Sequence, residues 1–175
     1  MFSSFSLTSS PTGTDLTTDR LVLRTWSPDD ITAVLGGIRL PHWAPGFPAE
    51  GDRVIASFVA DRPEALDAYG QRQIIERESG LVVGAIGLFW PPDEGAVDFG
   101  YGVVESRRGL GYASEAARAI VEYAFSAPGV HTVRAEVELS NPASVRVQEK
   151  AGLRRRSADG SVARFGVTAA EFARG

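Results

Sequence analysis

The segment Arg108-Gly109-Leu110-Gly111-Tyr112-Ala113 has the residue types and spacing of an anion-binding turn. It lies between an apolar run that ends at Val104 and an alanine-rich segment, Ala113–Phe125, with the composition of a helix. Two glycines let the backbone turn sharply and approach a ligand closely. The first N–H groups of a helix lack intrahelical acceptors, and the helix dipole adds about half a positive charge there. The segment is therefore predicted to bind a phosphate or pyrophosphate.

Two common nucleotide-binding patterns do not match this turn. A Walker motif has a lysine directly after its second glycine, whereas the only lysine of this chain, Lys150, is far from the turn. A Rossmann motif needs an early βαβ unit and a third glycine, whereas this turn follows three strand-like segments and reads G-x-G-x-x-S. The glycine turn by itself does not identify the nucleotide.

The composition disfavours several classes of protein and site. The chain has 175 residues, 22 of them acidic and 18 basic, and its net charge of −4 is that of an ordinary globular domain. Its dense basic cluster, Arg154–Arg156, is too short to follow a nucleic-acid backbone, so no nucleic-acid partner is expected. The sequence has no cysteine, and His42 and His131 are isolated, so no metal site is expected.

The chain is predicted to consist of a tail and one domain. Residues 1–14 are rich in serine and threonine and lack the basic start of a signal peptide, so we interpret them as a tail. Residues 15–175 alternate between strand-like and helix-like patterns without a long linker. No apolar run approaches the ~20 residues of a membrane span, so we expect a cytoplasmic protein without a membrane partner.

Hydrophobic periodicity predicts an α+β fold, with a mostly antiparallel sheet and helices on both faces. Helix starts are indicated by Ser27-Pro28 and Asn141-Pro142, and apolar faces indicate further helices near Gly51–Ala60 and Tyr112–Ser126. The predicted strands are Arg20–Trp26, Arg72–Arg77, Leu81–Phe89, Ala96–Val104, Val130–Leu139, Leu153–Ser157 and Val162–Thr168. The anion-binding turn thus joins the fourth strand to a helix.

Four segments resemble the GNAT superfamily of acyl-CoA-dependent N-acetyltransferases, and within it the RimJ/RimL-type branch. Arg108, Gly111 and Ala113 fit the signature Arg/Gln-x-x-Gly-x-Gly/Ala. The segments Asp19–Arg24 and Asp98–Tyr101 are similar to the opening strand of that branch and to its acid-x-Gly-Tyr segment. Residues 141–153, which read NPASVRVQEKAGL, resemble its last motif. Several matches in the right order are more specific than the glycines alone.

The resemblance implies the acyl-CoA N-acyltransferase fold, with acetyl-CoA as donor and no metal. In this fold a mixed sheet of six or seven strands splays apart between strands 4 and 5, here near Val103 and Val137. The pantetheine arm of coenzyme A would lie in that opening like an added strand. The predicted donor-binding residues are Val103, Val104, Arg108, Gly109, Leu110, Gly111, Tyr112, Ala113 and Asn141.

The implied acetyl transfer needs a base and a donor for the oxyanion. Amines with pKa values of about 8 to 10 are mostly protonated at neutral pH, so a carboxylate near the thioester would help. Asp98 is the first candidate for this base, and a solvent-facing strand acid is its alternative interpretation. Glu138 and Glu136 are reserves, and Glu76 is a distant one. A backbone N–H near Val103 is predicted to meet the oxyanion.

The leaving thiolate also needs a proton. Many GNAT enzymes have a tyrosine seven residues after the position of Asn141, but this chain has Gln148 there. The role of general acid is therefore predicted for Ser144, which RimL-like members carry at this position. Alternatively, Ser144 only bonds its own backbone at the helix start, and Asn141 is only an N-cap.

The acceptor pocket is the least defined part of the prediction. Trp43 and Tyr101 are predicted to line it, although buried aromatic residues more often belong to the core. The leading interpretation is acetylation of a protein N-terminal α-amine by a monomer or homodimer. The alternatives are acetylation of a small amine, such as a polyamine or an antibiotic, and a non-catalytic acyl-CoA-binding module.

Overall fold

A computed structural model describes residues 15–62 and 68–174, which contain one eight-stranded sheet with the order β1-β2-β3-β4-β5-β6-β8-β7. Neighbouring strands are antiparallel except for the pair β5 and β6. The strands are β1 Leu16–Thr17, β2 Leu21–Thr25, β3 Gln71–Glu76, β4 Val82–Leu88, β5 Ala96–Val103, β6 Thr132–Glu138, β7 Arg154–Asp159 and β8 Val162–Thr168. The α-helices are α1 Pro28–Gly36, α2 Glu50–Ala60, α3 Tyr112–Phe125, α4 Pro142–Lys150 and α5 Ala169–Arg174.

The predicted α+β architecture is confirmed, with two additions. The sheet has eight strands instead of six or seven, because Leu16–Thr17 pairs with β2 as an extra edge strand. Two residues are too few to show an alternating pattern, so the sequence did not indicate this strand. Helix α5 was also not predicted, although Thr168 and Glu171 cap its start reciprocally. The predicted tail, residues 1–14, lies outside the described residues.

The two helices with clear start signals begin where the sequence predicted. Ser27 Oγ accepts a hydrogen bond from Asp30 N at 3.1 Å, and Asp30 Oδ2 accepts one from Ser27 N at 2.9 Å, which forms a capping box for α1. At α4, Asn141 Oδ1 accepts a hydrogen bond from Ser144 N at 3.2 Å. The second cap places the Ser144 side chain on the first turn of α4.

The sheet opens between β5 and β6, the fourth and fifth of the predicted strands. These strands pair at three positions only, Ala96 with Thr132, Val97 with Val133 and Asp98 with Arg134. Strand β4 is buried at every position, because helices cover both faces of the sheet there. Helix α3 contacts β4, β5 and α4 on one face. On the other face, the ring of Phe58 on α2 meets Phe89.

Candidate active site

The turn between β5 and α3 has the conformation expected of an anion-binding loop. Gly109 and Gly111 have φ values of 80° and 86°, in the left-handed region that disfavours a β-carbon. Gly111 directly precedes the first residue of α3. Within the described part of the chain, no acceptor meets the backbone N–H groups of residues 109–114. These donors are therefore available to an anionic ligand.

A cleft of about 620 Å³ lies beside this turn, and we call it the donor cleft. Its walls are the turn, the end of β5 and one side of α4. The predicted site residues that line it are Tyr101, Val103, Arg108, Gly109, Gly111, Tyr112, Ala113, Asn141 and Ser144. Residues that were not predicted line it as well, namely Gly102, Arg107, Ser114, Ala143, Arg146, Val147 and Lys150. Leu110 does not line it, and the Leu110 carbonyl instead accepts a hydrogen bond from Arg20 Nη1 at 2.7 Å.

The donor cleft is basic although the whole chain is acidic. Four cationic side chains line it, Arg107, Arg108, Arg146 and Lys150, and none of the described residues that line it is acidic. Arg146 and Lys150 lie four residues apart, which places them on one side of α4. That spacing is visible in the sequence, but it indicates a shared surface only once the face that α4 buries is known. The local charge favours a polyanionic ligand.

The buried carboxylate of Glu76 binds two residues that line the donor cleft, Arg107 and Tyr112. Glu76, which is 5% exposed, accepts hydrogen bonds from Arg107 Nε at 2.9 Å, Ser79 Oγ at 2.6 Å and Tyr112 Oη at 2.7 Å. The hydrogen bond from Arg107 is the main reason that the pKa of Glu76 falls from 4.5 to about 2, and Ser79 and Tyr112 add to it against the opposing effect of burial. A carboxylate held ionised in this way is a poor proton acceptor. The structure therefore gives Glu76 a supporting position and not that of a base.

Backbone groups of both strands face the opening between β5 and β6. Along a strand, the N–H and C=O groups of successive residues point to opposite edges. Phe89 N donates a hydrogen bond to the Asp98 carbonyl, and Val104 N donates one to the Val83 carbonyl. The backbone groups of the even-numbered residues of β5 therefore point toward β4. The backbone groups of Phe99, Tyr101 and Val103 consequently face the opening. This edge can receive an extended, amide-bearing ligand as an added strand.

The backbone N–H groups of Val103 and Val104 point to opposite edges of the strand for the same reason. The Val103 N–H faces the opening, while the Val103 carbonyl accepts a hydrogen bond from Arg108 Nε at 2.9 Å. Val104 was predicted to lie beside the pantetheine arm, but its N–H donates to Val83 at 2.8 Å and its side chain is buried. The structure does not support a donor-binding role for Val104, because alternate residues of a strand address opposite edges.

Tyr101 and Ser144 form a hydroxyl pair in the donor cleft. Tyr101 Oη donates to Ser144 Oγ at 3.1 Å, which leaves the Ser144 hydroxyl proton free to be donated elsewhere. Burial raises the pKa of Tyr101, and hydrogen bonds with Ser144 and Gln148 oppose that rise. Gln148, which occupies the position of the tyrosine found in many GNAT enzymes, is 1% exposed. Its side chain forms a hydrogen bond with Tyr101 of β5. Tyr101, which was predicted to line the acceptor pocket, lines the donor cleft.

The predicted carboxylates lie on the opposite face of the sheet from Tyr101. Side chains of successive strand residues alternate between faces, and Asp98 is an odd number of residues from Tyr101. Arg134 Nε donates to Asp98 Oδ1 at 2.8 Å, and Arg164 Nε donates to Glu136 Oε2 at 3.2 Å. Glu138 is exposed on the same side of β6. We call this exposed surface, defined by Asp98, Glu136 and Glu138, the carboxylate face.

Trp43 lies in the core and does not line the donor cleft. It is 3% exposed, and its ring meets Phe47 edge to face with 5.4 Å between centroids. It borders a separate cavity of about 180 Å³ together with Phe47 and Arg39. A large aromatic side chain gains more from burial than from exposure, which explains this position in the loop after α1. The structure gives no support for Trp43 in the acceptor pocket.

The part of the chain that the structure describes holds no group of three or more histidine or acidic side chains arranged to bind a metal ion. In the same residues, no helix is both long and apolar enough to cross a bilayer.

Comparisons with known proteins identify relatives of this chain in sequence and in fold. An uncharacterized N-acetyltransferase of Bacillus subtilis, YnaD, is 34% identical over 82 residues, which are 47% of this chain and 48% of YnaD. The chain thus matches about half the length of this curated relative. The structure of AAC(6')-Ib in complex with ribostamycin and coenzyme A is 22% identical, with a TM-score of 0.63 over 89% of this chain and 97% of that one. A putative ribosomal-protein-serine acetyltransferase of Vibrio cholerae is 16% identical, with a TM-score of 0.64 over 91% and 99%.

Those two structures establish the likeness of fold, and the family is established by sequence. The model of the acetyltransferase (GNAT) domain matches residues 20–154, which include β2, the anion-binding turn and all of α4. The chain therefore belongs to the GNAT family of acetyltransferases.

Proposed function

We propose that this protein is an acetyl-CoA-dependent N-acetyltransferase of the RimJ/RimL type that acetylates a primary amine. The observation that carries the proposal is the donor cleft, which combines free backbone N–H groups, four cations and an open strand edge. Coenzyme A has the complementary parts, since its phosphates are anionic and its pantetheine arm contains amides. The Asp19–Arg24 and Asp98–Tyr101 segments support the assignment to this branch.

The two ends of coenzyme A would bind two different surfaces of the cleft. Its pyrophosphate would accept hydrogen bonds from the N–H groups of residues 109–113, beside Arg108. Its pantetheine amides would pair with the edge of β5 at Tyr101 and Val103, near Asn141 at the start of α4. This binding would direct the thioester into the opening between β5 and β6.

The chemical step joins the amine nitrogen to the acetyl carbon and breaks the carbon–sulfur bond. The Val103 N–H faces the opening, so it is placed to stabilise the negative charge that develops on the acetyl oxygen. The sulfur leaves as a thiolate and takes a proton from Ser144, while the Ser144 oxygen takes the proton of its hydrogen bond from Tyr101. Tyr101 then regains a proton from solvent. The amine loses its proton to a carboxylate, directly or through water.

The carboxylate face supplies the candidates for that base. Asp98 is the residue at which pairing between β5 and β6 ends, so it lies at the closed end of the opening. Its Oδ1 is bonded to Arg134, whereas no hydrogen bond to its Oδ2 occurs among residues 15–62 and 68–174. Because this face is opposite Tyr101 and Ser144, the amine would approach the thioester from one side and the thiolate would leave on the other. Glu138 is the reserve candidate.

A protein N-terminal α-amine is the proposed acceptor. The exposed carboxylate face can attract a cationic acceptor, and Arg134, Glu136 and Glu138 of β6 are exposed there. An extended peptide fits an open surface of this kind better than a small amine, which enzymes usually enclose in a pocket. The resemblance to the RimJ/RimL branch points to the same acceptor class.

The test is thiol release from acetyl-CoA in the presence of a panel of acceptors. The panel contains peptides with free and with blocked N-termini, a polyamine and an aminoglycoside. We expect turnover with free N-terminal peptides only. Turnover confined to the polyamine or the aminoglycoside would refute the acceptor and keep the acetyl transfer. Tight binding of coenzyme A without turnover of any amine would refute the enzyme and indicate a binding module.

A further inference from the structure

An ion pair joins the turn between β1 and β2 to the first turn of α3. Arg20 Nε donates to Glu115 Oε1 at 2.8 Å, and the Arg20 backbone N–H donates to Glu115 Oε2 at 2.8 Å. Thr18 Oγ1 donates to the same Oε2 at 2.6 Å. Glu115 is therefore fixed by three donors, and its position in the chain places it at the end of α3 that faces the anion-binding turn.

The Arg20 side chain also contacts three consecutive residues of that turn. Its Nη1 donates to the Leu110 carbonyl at 2.7 Å, and its guanidinium lies 4.7 Å from the centre of the Tyr112 ring. Its Nη2 is 3.2 Å from the position that a β-carbon on Gly111 would take. One guanidinium thus bonds the acid of α3 and the backbone of the turn at the same time.

The segment that carries Arg20 is itself held in place. Arg77 Nη1 donates to the carbonyls of Thr18 and Asp19, both at 2.9 Å, and Arg77 N donates to the Arg20 carbonyl at 2.9 Å. These bonds tie residues 18–20 to the end of β3. The backbone that carries the Arg20 side chain is therefore held in place relative to the sheet.

Glu115 presents an electrostatic problem for anion binding. A carboxylate in the first turn of a helix interacts favourably with the helix dipole, but it repels a second anion at the same end. Burial raises the pKa of Glu115, and hydrogen bonds from Thr18 and Arg20 outweigh it, so that the pKa lies below its ordinary value. Glu115 is thus ionised at neutral pH, and a phosphate at the turn requires a cation beside it.

We propose that Arg20 is a positioning residue for the donor, which neutralises Glu115 and holds the Leu110 carbonyl so that the N–H groups of the turn face the phosphates. The proposal rests on the proposed binding of the coenzyme A pyrophosphate at this turn. It assigns to the Asp19–Arg24 segment, which lies outside the donor cleft, a specific part in binding the donor.

The test compares the binding of coenzyme A with that of pantetheine, which lacks the phosphates, by equilibrium titration. We expect Arg20→Gln to weaken coenzyme A binding about tenfold, which corresponds to 1.4 kcal/mol, and to change pantetheine binding less than twofold. The double variant Arg20→Gln/Glu115→Gln should recover at least a third of the lost affinity, because the unpaired carboxylate is gone. The matched control is Arg24→Gln on the following strand, β2, which removes a two-point ion pair with Asp15 and should change neither affinity.

The outcomes separate this proposal from the function on which it rests. Coenzyme A binding by Arg20→Gln within twofold of the unchanged protein would overturn the role of Arg20, as would equal losses for coenzyme A and pantetheine. A double variant no better than Arg20→Gln would overturn the neutralisation of Glu115. If the unchanged protein binds coenzyme A no better than pantetheine, the proposed pyrophosphate site itself fails.

A second variant tests the proposal should Arg20→Gln fail to fold. Glu115→Gln leaves Arg20 in contact with the Leu110 carbonyl and removes the competing charge. We expect it to bind coenzyme A as tightly as the unchanged protein or more tightly. A loss of more than threefold would overturn the proposal.

Discussion

Replacing Glu76 by glutamine tests whether the buried network behind the donor cleft stabilises the protein. The carboxylate of Glu76 accepts hydrogen bonds from Arg107, Ser79 and Tyr112, and Arg107 contributes two of them. Glutamine keeps one oxygen but turns an NH₂ group toward some of these donors, which leaves them without an acceptor. With ~1.5–3 kcal/mol for a hydrogen bond to a charged group, we expect a loss of about 3 kcal/mol in the free energy of unfolding.

This loss is large enough to measure by thermal denaturation. For a chain of 175 residues, 1 kcal/mol shifts Tm by about 2–4 °C, so Glu76→Gln should lower Tm by about 6–12 °C at pH 7. The matched control is Glu136→Gln, because Glu136 forms an exposed ion pair with Arg164 and is 58% exposed. An exposed pair of this kind contributes about 0–1 kcal/mol, so the control should shift Tm by no more than a few degrees.

The pH dependence provides a second test of the same network. Because the pKa of Glu76 is about 2 in the folded protein and near 4.5 ordinarily, its ionised form stabilises the fold above pH 4.5. That contribution is lost as the pH falls from 4.5 toward 2. The stability difference between the unchanged protein and Glu76→Gln should therefore be constant from pH 6 to 8 and shrink below pH 4.5. An unchanged Tm at pH 7, or a difference that stays the same down to pH 2.5, would refute the reasoning.

Three further predictions concern the site. Gly111→Asp should abolish coenzyme A binding in titration, because it places a side chain and a negative charge at the turn. The control Gly160→Asp, also at a positive φ but in the hairpin between β7 and β8, should bind coenzyme A normally. Retained affinity in Gly111→Asp would contradict binding of the pyrophosphate at this turn. Ser144→Ala should lower kcat by about tenfold to a hundredfold without changing the Kd for coenzyme A, since a thiolate is a fair leaving group; an unchanged kcat would leave Ser144 as a helix-start residue. Asp98→Asn should lower kcat/KM about a hundredfold, and an unchanged kcat/KM would assign Asp98 to its ion pair with Arg134 alone.

The local features that the structure shares with the prediction depend on short-range chemistry. Gly109 and Gly111 take the left-handed conformations that glycine permits, and Asn141 caps α4 as its pairing with proline indicated. These features need only residues close together in the chain. The opening between β5 and β6 was also expected at the correct strands, although on the basis of family resemblance and not of periodicity.

The surroundings of the other predicted residues depend on edges, faces and burial. The N–H groups of Val103 and Val104 point in opposite directions, toward the opening and toward β4. A shift of one residue in register would exchange these two directions. Tyr101 and Asp98 lie three residues apart, and strand alternation places them on opposite faces of the sheet. Trp43 was predicted to line the acceptor pocket, with burial in the core as the alternative, and the structure buries its side chain.

The sequence by itself determined the glycine turn before α3, the caps of α1 and α4, the order of strands β2–β8 and helices α1–α4, and the family to which the chain belongs. These follow from backbone preferences and from short-range spacing. Only the tertiary structure decided which charges meet, because contacts such as Arg20 with Glu115 and Arg107 with Glu76 join residues 95 and 31 positions apart. The packing of β2, β3 and α3 brings these groups together, so their pairing is a property of the assembled sheet.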